Sequence, residues 1–379
     1  VAISGNLVPY HTDNFEAGIA KIGYFVQTPD STTSVSFDNI PDEKSMESID
    51  KVSILGYKIG NHLVAKKSDI QTVSATTESN TSVGNKNYIV YPVNFVDDRS
   101  NPYTKAEMLK KIFCDPSCSD SLRSYYRDQS DKKINISGQV ANAWIQSPFK
   151  EDDMCNSKGL DDLTAWVKQK YPIGFTSSST DGVIFIFPPG NCDYGGRGTI
   201  GGHPSFAWIP EFDLRVLSHE IGHNLGINHA STLGKDCLTD LFCSDVDEYG
   251  DKADPMGRDL SDLNGPHLRH LGILPISMVK FTDQGGTFTV HKLGSGLFPE
   301  LIRLRVAEDG YWFIEYRANR SGYNSNITYK LGAGVLLHSA GARRFNTYLF
   351  DVFDHDPVFR DGDSISVRDF KVKQLSHDA

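Results

Sequence analysis

Runs of apolar residues along this chain predict two kinds of β-strand. Residues 1–70 carry short alternating segments, such as Ala20 to Val26 and Val52 to Tyr57, which are typical of half-exposed strands separated by turns. Tyr88 to Phe95 and Val183 to Phe187 are instead continuously apolar, as expected of strands buried on both faces. The pattern therefore predicts a small N-terminal β region followed by a region with a buried sheet.

Helical periodicity appears between and after the buried strands. Leu163, Trp166 and Val167 lie on one side of an amphipathic segment, and an apolar residue recurs at every fourth position from Leu217 to Leu225. Helices that alternate with buried strands are typical of an α/β arrangement. We therefore expect helices to cover the central sheet.

The changes of pattern predict four segments in an α+β multidomain chain. A small β domain occupies residues 1–70, and a linker rich in Ser, Thr and Asn occupies residues 71–86. A central domain of strands and helices covers residues 87–276. Short strands separated by Asp and Gly turns return in residues 277–379, which predicts a C-terminal β-sandwich.

Charge and apolar content argue against two classes of partner. The chain has 379 residues and a formal net charge of −10, which is unfavourable for binding nucleic acid. It contains no run of eighteen apolar residues, so we expect no membrane span.

The six cysteines predict disulfides in an oxidising compartment, because their count is even and no Cys-x-x-Cys pair occurs. We therefore expect a secreted protein, although buried free thiols in an intracellular protein are the alternative. Fifteen pairings are possible, and we expect Cys114–Cys118, Cys155–Cys192 and Cys237–Cys243.

The segment from His219 to His229, with the sequence HEIGHNLGINH, has the spacing of a catalytic zinc site. His219 and His223 project from one face of a helix, one turn apart, so both imidazoles can reach a single ion. Gly226 can end the helix in a left-handed cap, which would let the chain bring His229 back as a third ligand. Three protein ligands leave the fourth tetrahedral position open for water. Glu220 is placed to handle the proton of that water and not to bind the metal.

This motif resembles the extended zinc signature of the metzincin peptidases. Their second mark is a turn with a methionine, and Asp254-Pro255-Met256-Gly257 fits it, with Met256 as an apolar floor under the imidazoles. Further similarity over about residues 212–275, including Leu263-Asn264-Gly265-Pro266-His267, points to the gametolysin-like metallopeptidases. The resemblance implies a metzincin-like catalytic domain with a twisted sheet and an active-site helix. The chain has no Pro-Arg-Cys-Gly-type cysteine switch.

The resemblance and the motif together predict a secreted zinc endopeptidase that hydrolyses extracellular proteins. Zn²⁺ would polarise the scissile carbonyl and activate water, and Glu220 would act as the general base. Protein or peptide substrates are expected, with matrix proteins or glycoproteins among them. Two alternatives stay open: a glycoprotein-directed protease that uses its β domains for targeting, and a catalytically silent, zinc-stabilised adhesin. Residues 1–70 are either a propeptide or a retained module.

Two further sites are candidates. Gly201, Gly202 and His203 lie in a Gly-rich segment before the zinc helix, where a sheet edge could bind an extended substrate strand. The alternative for this segment is a flexible surface loop. Five carboxylates cluster before the methionine turn and either bind Ca²⁺ or form a solvated acidic loop. They are Asp245, Asp247, Glu248, Asp251 and Asp254.

Overall fold

The computed structural model describes most of the chain. The described residues are 1–28, 31–37, 50–75, 82–114, 118–190, 192–234, 237, 245–306, 310–318, 334–341, 346–351, 356–367 and 370–376. They form two compact units. The first comprises Val1–Asp128 and Lys132–Gly226, and the second comprises Gln129–Asp131 and Ile227–Ala379.

Within the described part of the first unit, eleven strands belong to one sheet. They are β1 (Ala2–Asn14), β2 (Ile19–Gln27), β3 (Thr32–Phe37), β4 (Asp50–Ile59), β5 (His62–Ala75), β6 (Gly84–Asn94), β7 (Ile134–Val140), β8 (Ile145–Gln146), β9 (Gly182–Ile186), β10 (Gly196–Thr199) and β11 (Ser205–Ile209).

Strands β1 to β5 close into a ring, because β1 pairs with β2 along one edge and with β4 along the other, and β3 and β5 complete the circuit. Apolar side chains fill its interior, among them Leu7, Val26, Ile54 and Leu63. The alternating pattern accounts for this interior, because it places one residue in two on the inside of each strand.

Strand β1 also joins this ring to the buried part of the sheet. Its last residues pair antiparallel with β10, and the order continues through β11, β9, β6 and β7. The pairings β11–β9, β9–β6 and β6–β7 are parallel, as expected for continuously apolar strands.

Helices lie between the strands of the buried sheet. In the described residues they are α1 (Lys105–Phe113), α2 (Leu122–Gln129), α3 (Ser157–Lys170), α4 (Ile173–Thr176) and α5 (Leu214–Asn224), with a short 3₁₀ helix at Glu151–Cys155. Thr104 caps α1 through a capping box with Glu107. The predicted stripe of α3 packs Leu163 and Val167 against the sheet core around Phe185.

The second unit contains a seven-stranded sheet in the order β13-β12-β18-β17-β16-β15-β14 and a separate two-stranded pair. The strands are β12 (Ala230–Leu233), β13 (Val246–Asp247), β14 (Val279–Thr282), β15 (Leu301–Arg305), β16 (Gly310–Arg317), β17 (Gly334–Gly341), β18 (Thr347–Phe350), β19 (Ser364–Val367) and β20 (Phe370–Lys373). Helix α6 (Gly265–His270) carries the segment after the methionine turn.

The predicted fold class was wrong. A metzincin-like α+β domain between a separate β domain and a β-sandwich is not what forms, because strands dominate and are organised in large sheets. Strand β1 belongs to the N-terminal ring and to the buried sheet at once. Strands β14 to β18 share one sheet with β12 and β13, which precede residue 277, in place of a sandwich. The division into domains at residues 70, 86 and 276 stays a prediction.

Two of the three expected disulfides are confirmed. Cys114 is bonded to Cys118 and Cys155 to Cys192. Cys237 is disulfide-bonded as well, and its expected partner Cys243 lies outside the described residues. Among the helices that the structure describes, each is too short or too polar to span a bilayer.

Candidate metal centre

The motif helix forms where the sequence predicted it. Asp213 caps α5 by accepting a hydrogen bond at 2.8 Å from the Val216 amide. All residues of helix α5 except Arg215 are buried. After Leu225 the chain leaves the helix at Gly226, whose φ of +97° is the left-handed conformation that glycine favours. The Gly226 amide donates to the His223 carbonyl at 2.8 Å.

Helix α5 brings two imidazoles together with a carboxylate from strand β1. The Nε2 atoms of His219 and His223 lie 3.7 Å and 3.4 Å from Asp13 Oδ2. All three side chains are fully buried. Their ligand atoms lie within 4.8 Å of one another, so this cluster could hold a metal ion.

Neighbouring residues of β1 pack against the same imidazoles. The His11 ring stacks on that of His223, with 5.0 Å between centroids and 17° between planes. The Phe15 ring contacts His219 edge-on at 4.8 Å. His11 and Asp13 are alternate residues of β1 and point to one face. Phe15, the first residue after the strand, adds its ring beside them.

His229 lies in the second unit, in the segment that follows Gly226. It is fully buried, and its role as the third ligand stays a prediction. Its Nδ1 is 2.6 Å from Glu248 Oε1. A carboxylate on Nδ1 directs Nε2 toward a metal, which is the usual arrangement around ligating histidines. The donor set of three imidazoles and one carboxylate is one that Zn²⁺ accepts.

Glu220 lies on α5 beside the first histidine and is fully buried. Burial raises the pKa of its carboxyl well above the usual range, and the nearby Asp13 carboxylate raises it further. Strand β10 passes directly over this group. A side chain at Gly196 or Gly198 would collide with the Glu220 carboxylate, so the two glycines allow the strand to approach so closely.

Asn224, at the end of α5, ties the helix to the sheet. Its amide donates to the carbonyls of Thr199 and Phe206 at 3.0 Å and 2.8 Å. These bonds link α5 to both β10 and β11 and so hold the imidazoles in place relative to the sheet.

The predicted substrate segment divides into a strand and a loop. Strand β10 ends at Thr199, and the loop that follows contains Gly201 and Gly202, with φ values of +66° and +94°. The Gly201 amide donates to the His223 carbonyl at 2.8 Å, and the exposed His203 donates its amide to Gln27. A role of Gly201, Gly202 and His203 in substrate binding stays a prediction.

The methionine turn packs next to the strand that follows His229. Met256 is fully buried, and its carbonyl accepts a hydrogen bond from the Ala230 amide at 3.0 Å. Asp254 shapes the turn, because its carboxylate accepts bonds from the amides of Met256 and Asn264. The turn is therefore fixed beside His229 within the second unit.

Several carboxylates of the proposed calcium loop are bonded to protein groups. Asp251 is buried and lies 3.1 Å from His338 Nε2, and Asp254 lies 3.0 Å from His267 Nδ1. With Glu248 on His229, three of the five carboxylates contact histidines. Ca²⁺ needs six to eight oxygen ligands, and these contacts take up oxygens that such a site would require.

Sequence reasoning missed Asp13 and did not foresee the contact of Glu248 with His229. Asp13 lies in a strand far from the motif, and nothing in its local pattern distinguishes it from other strand residues. Glu248 had a usable signal, because a ligating histidine needs a partner on its second nitrogen.

Comparisons with known proteins do not show a family. No family model and no curated protein matches the chain. Among solved structures, a chaperone–substrate complex is similar over 47% of this chain and 26% of its own, at 15% identity and a TM-score of 0.27. The present chain therefore spans about a quarter of that one. Wild-type OgpA from Akkermansia muciniphila is similar over 69% of this chain and 85% of its own, at 11% identity and a TM-score of 0.28.

Proposed function

We propose that this protein is a zinc-dependent endopeptidase. The observation that carries the proposal is the buried pair His219 and His223, whose Nε2 atoms lie near one point, with the Glu220 carboxyl on the same helix. We include His229 as the third ligand because its Nδ1 is held by Glu248. The resemblance of the motif to metzincin peptidases supports the same assignment, and Zn²⁺ is the ion that three imidazoles favour.

Each residue then has a defined task. The three histidines would hold Zn²⁺, which supplies Lewis-acid polarisation of a carbonyl and activation of water. Glu220 would take a proton from the attacking water and return it to the leaving amine, which is the role of a general base followed by a general acid. Its burial against β10 keeps the carboxyl in one orientation.

We propose proteins or peptides outside the cell as substrates, matrix proteins and glycoproteins included. The disulfides support an extracellular location, because such bonds persist in oxidising compartments. The net charge of −10 supports neither a nucleic acid nor an anionic surface as partner.

One observation favours a second candidate, a structural zinc site. The Asp13 carboxylate lies beside the imidazoles of His219 and His223. It would add a fourth ligand to the three predicted histidines, and four protein ligands are typical of structural zinc. A structural site has no use for a buried carboxyl at Glu220, whose burial as an anion is costly. The two candidates differ in whether Glu220 affects turnover or only stability.

The test compares peptide hydrolysis in matched variants. Because Asp13 lies among the ligands, we would assay Asp13→Ala beside the intact chain, with zinc content measured in each. We expect Asp13→Ala to cleave casein, to lose activity with a chelator and to regain it with Zn²⁺. Adding Glu220→Gln to this variant should keep one zinc per chain and lower kcat by about 10²–10⁴-fold, the usual contribution of a positioned base.

A readout on the same samples separates the two candidates. If the Asp13→Ala protein with one zinc cleaves no faster than its Glu220→Gln derivative, the peptidase proposal is wrong. A structural site would show that equality together with a large loss of thermal stability on chelation.

A further inference from the structure

His11 and Asp13 of strand β1, and Phe15 just beyond its end, face the candidate metal centre. His11 stacks on His223, Asp13 Oδ2 lies 3.4 Å from His223 Nε2, and Phe15 contacts the edge of His219. His11 is 7% exposed, Asp13 0% and Phe15 6%. These three side chains therefore pack against the imidazoles of His219 and His223.

Among the described strands, β10 pairs with β11 along one edge and with β1 along the other. The backbone of β1 therefore occupies the edge of β10 that a substrate strand would need. Tyr10 to Asp13 pair antiparallel with Gly196 to Thr199, and the opposite edge of β10 pairs with β11. An extended peptide binds a sheet by adding a strand to an unpaired edge. As long as β1 stays in place, β10 has no such edge next to the motif helix.

The pairing register brings the carboxylate to the catalytic group. Asp13 lies opposite Gly196, the glycine at which a side chain would collide with Glu220. The same strand residue therefore reaches the histidines and the general base together. In a zinc site, a carboxylate in this place takes the position that a catalytic metal keeps open for water.

We propose that strand β1 is an inhibitory segment, with Asp13 as the fourth metal ligand and the β1 backbone in the place of substrate. This inference rests on the proposed function. It explains why a carboxylate from a distant strand lies against the motif histidines, and it assigns the blocking of the site to the strand that carries Asp13. For substrate to bind, β1 has to leave β10.

The first test reads the metal directly and needs no turnover. With Co²⁺ in place of Zn²⁺, the visible absorption reports on the ligands of the ion. In the intact chain we expect no spectral change when acetohydroxamate is added, because Asp13 holds the fourth position. In Asp13→Ala and Asp13→Asn the spectrum should differ from that of the intact chain and should change on addition of acetohydroxamate.

A matched control removes one negative charge, as Asp13→Asn does, at a residue that does not contact the histidines. Glu16 is an exposed carboxylate three residues beyond Asp13. The cobalt spectrum of Glu16→Gln should match that of the intact chain and should not change when acetohydroxamate is added. The intact protein by itself can overturn the proposal: if its cobalt spectrum responds to acetohydroxamate as the Asp13 variants do, Asp13 does not occupy the position.

The second test measures inhibition. We expect Asp13→Ala to cleave casein roughly 100-fold faster than the intact chain, as for a covered state favoured by about 99:1. Glu16→Gln should match the intact chain. An intact chain that is fully active, with no gain in Asp13→Ala, would overturn inhibition and leave the peptidase proposal standing. If the cobalt spectrum changes in the Asp13 variants but none of them cleaves casein, Asp13 is a metal ligand and the peptidase proposal is wrong.

Discussion

Single hydrogen bonds set the orientation of the candidate ligands. The bond of 2.6 Å between His229 Nδ1 and Glu248 Oε1 selects the ring face and the tautomer that leave Nε2 for a metal. Glu248 is about one-third exposed, whereas the histidine is fully buried. The carboxylate can therefore be changed without opening the core around the imidazole.

Glu248→Gln should weaken zinc retention while the chain stays folded. The amide can still accept one hydrogen bond but lacks the negative charge that makes the imidazole a stronger ligand, and loss of such a partner typically lowers metal affinity by about 10–100-fold. Competition with a chromophoric chelator measures this change. Asp283→Asn, at an exposed carboxylate of the same unit, serves as the control, and equal affinities in the two variants would contradict the role of Glu248.

At this scale the sequence predicted what lies close together along the chain. His219, Glu220 and His223 share one helix, so their spacing alone gives their relative positions. Asp13 reaches the same place only through a strand pairing between distant segments. No local pattern encodes such a pairing, because it depends on which edge remains available after the sheet has formed.

At the scale of elements, the two described disulfides should contribute unequally to stability. Cys155–Cys192 ties the 3₁₀ helix to the segment after β9 across a separation of 37 residues, and Cys114–Cys118 spans only four. Loop-closure entropy grows with the length of the loop, which gives roughly 4 kcal/mol for the first and roughly 2 kcal/mol for the second.

Guanidinium unfolding of two double Cys→Ser variants checks this order. The variant that lacks Cys155–Cys192 should lose more free energy of unfolding than the one that lacks Cys114–Cys118. A larger loss from the short bridge would mean that strain or residual structure outweighs loop length.

The positions of strands along the chain were easier to predict than the pairing between strands. The alternating pattern identified β2 and β4, and the continuous runs identified β6 and β9, because side-chain burial leaves a local signature. The pairing of β1 with β10 and the seven-stranded sheet of the second unit left no such signature. A strand with one apolar face can join a ring, a sandwich or a larger sheet, and long-range contacts decide among them.

For the molecule as a whole, a buried ion pair predicts how stability depends on pH. Burial alone would lower the pKa of His338, but its hydrogen bond to Asp251 and the charges of Glu315 and Asp251 raise it above 6.5. Burial would raise the pKa of Asp251, yet the bond to His338 and nearby Arg317 lower it below 3.8. Both groups therefore favour their charged forms in the folded protein.

The two shifts act at opposite ends of the pH range. The contribution of His338 is complete below pH 6.5 and is lost as pH rises through its raised pKa. The contribution of Asp251 is complete above pH 3.8 and is lost as pH falls through its lowered pKa. The pair therefore stabilises the fold most between these two values.

His338→Gln should remove the alkaline part of this dependence and destabilise the protein by about 3–5 kcal/mol, the usual cost of leaving one member of a buried pair alone. Denaturation midpoints measured across the pH range test it, with His291→Gln as the control. An alkaline decline that persists unchanged in His338→Gln would contradict the assignment.

The pairing of β1 with β10 also has a consequence in time. A ribosome delivers the chain from its N-terminus, so β1 and its ring partners β2 to β5 emerge before β10 and the motif helix. Contacts between segments so distant in sequence form late, because closing the loop between them costs entropy. When β10 folds, strand β1, which pairs with its edge, has already been synthesised. In the proposed inhibitory role, β1 is therefore available to pair with β10 as soon as β10 and the motif helix fold.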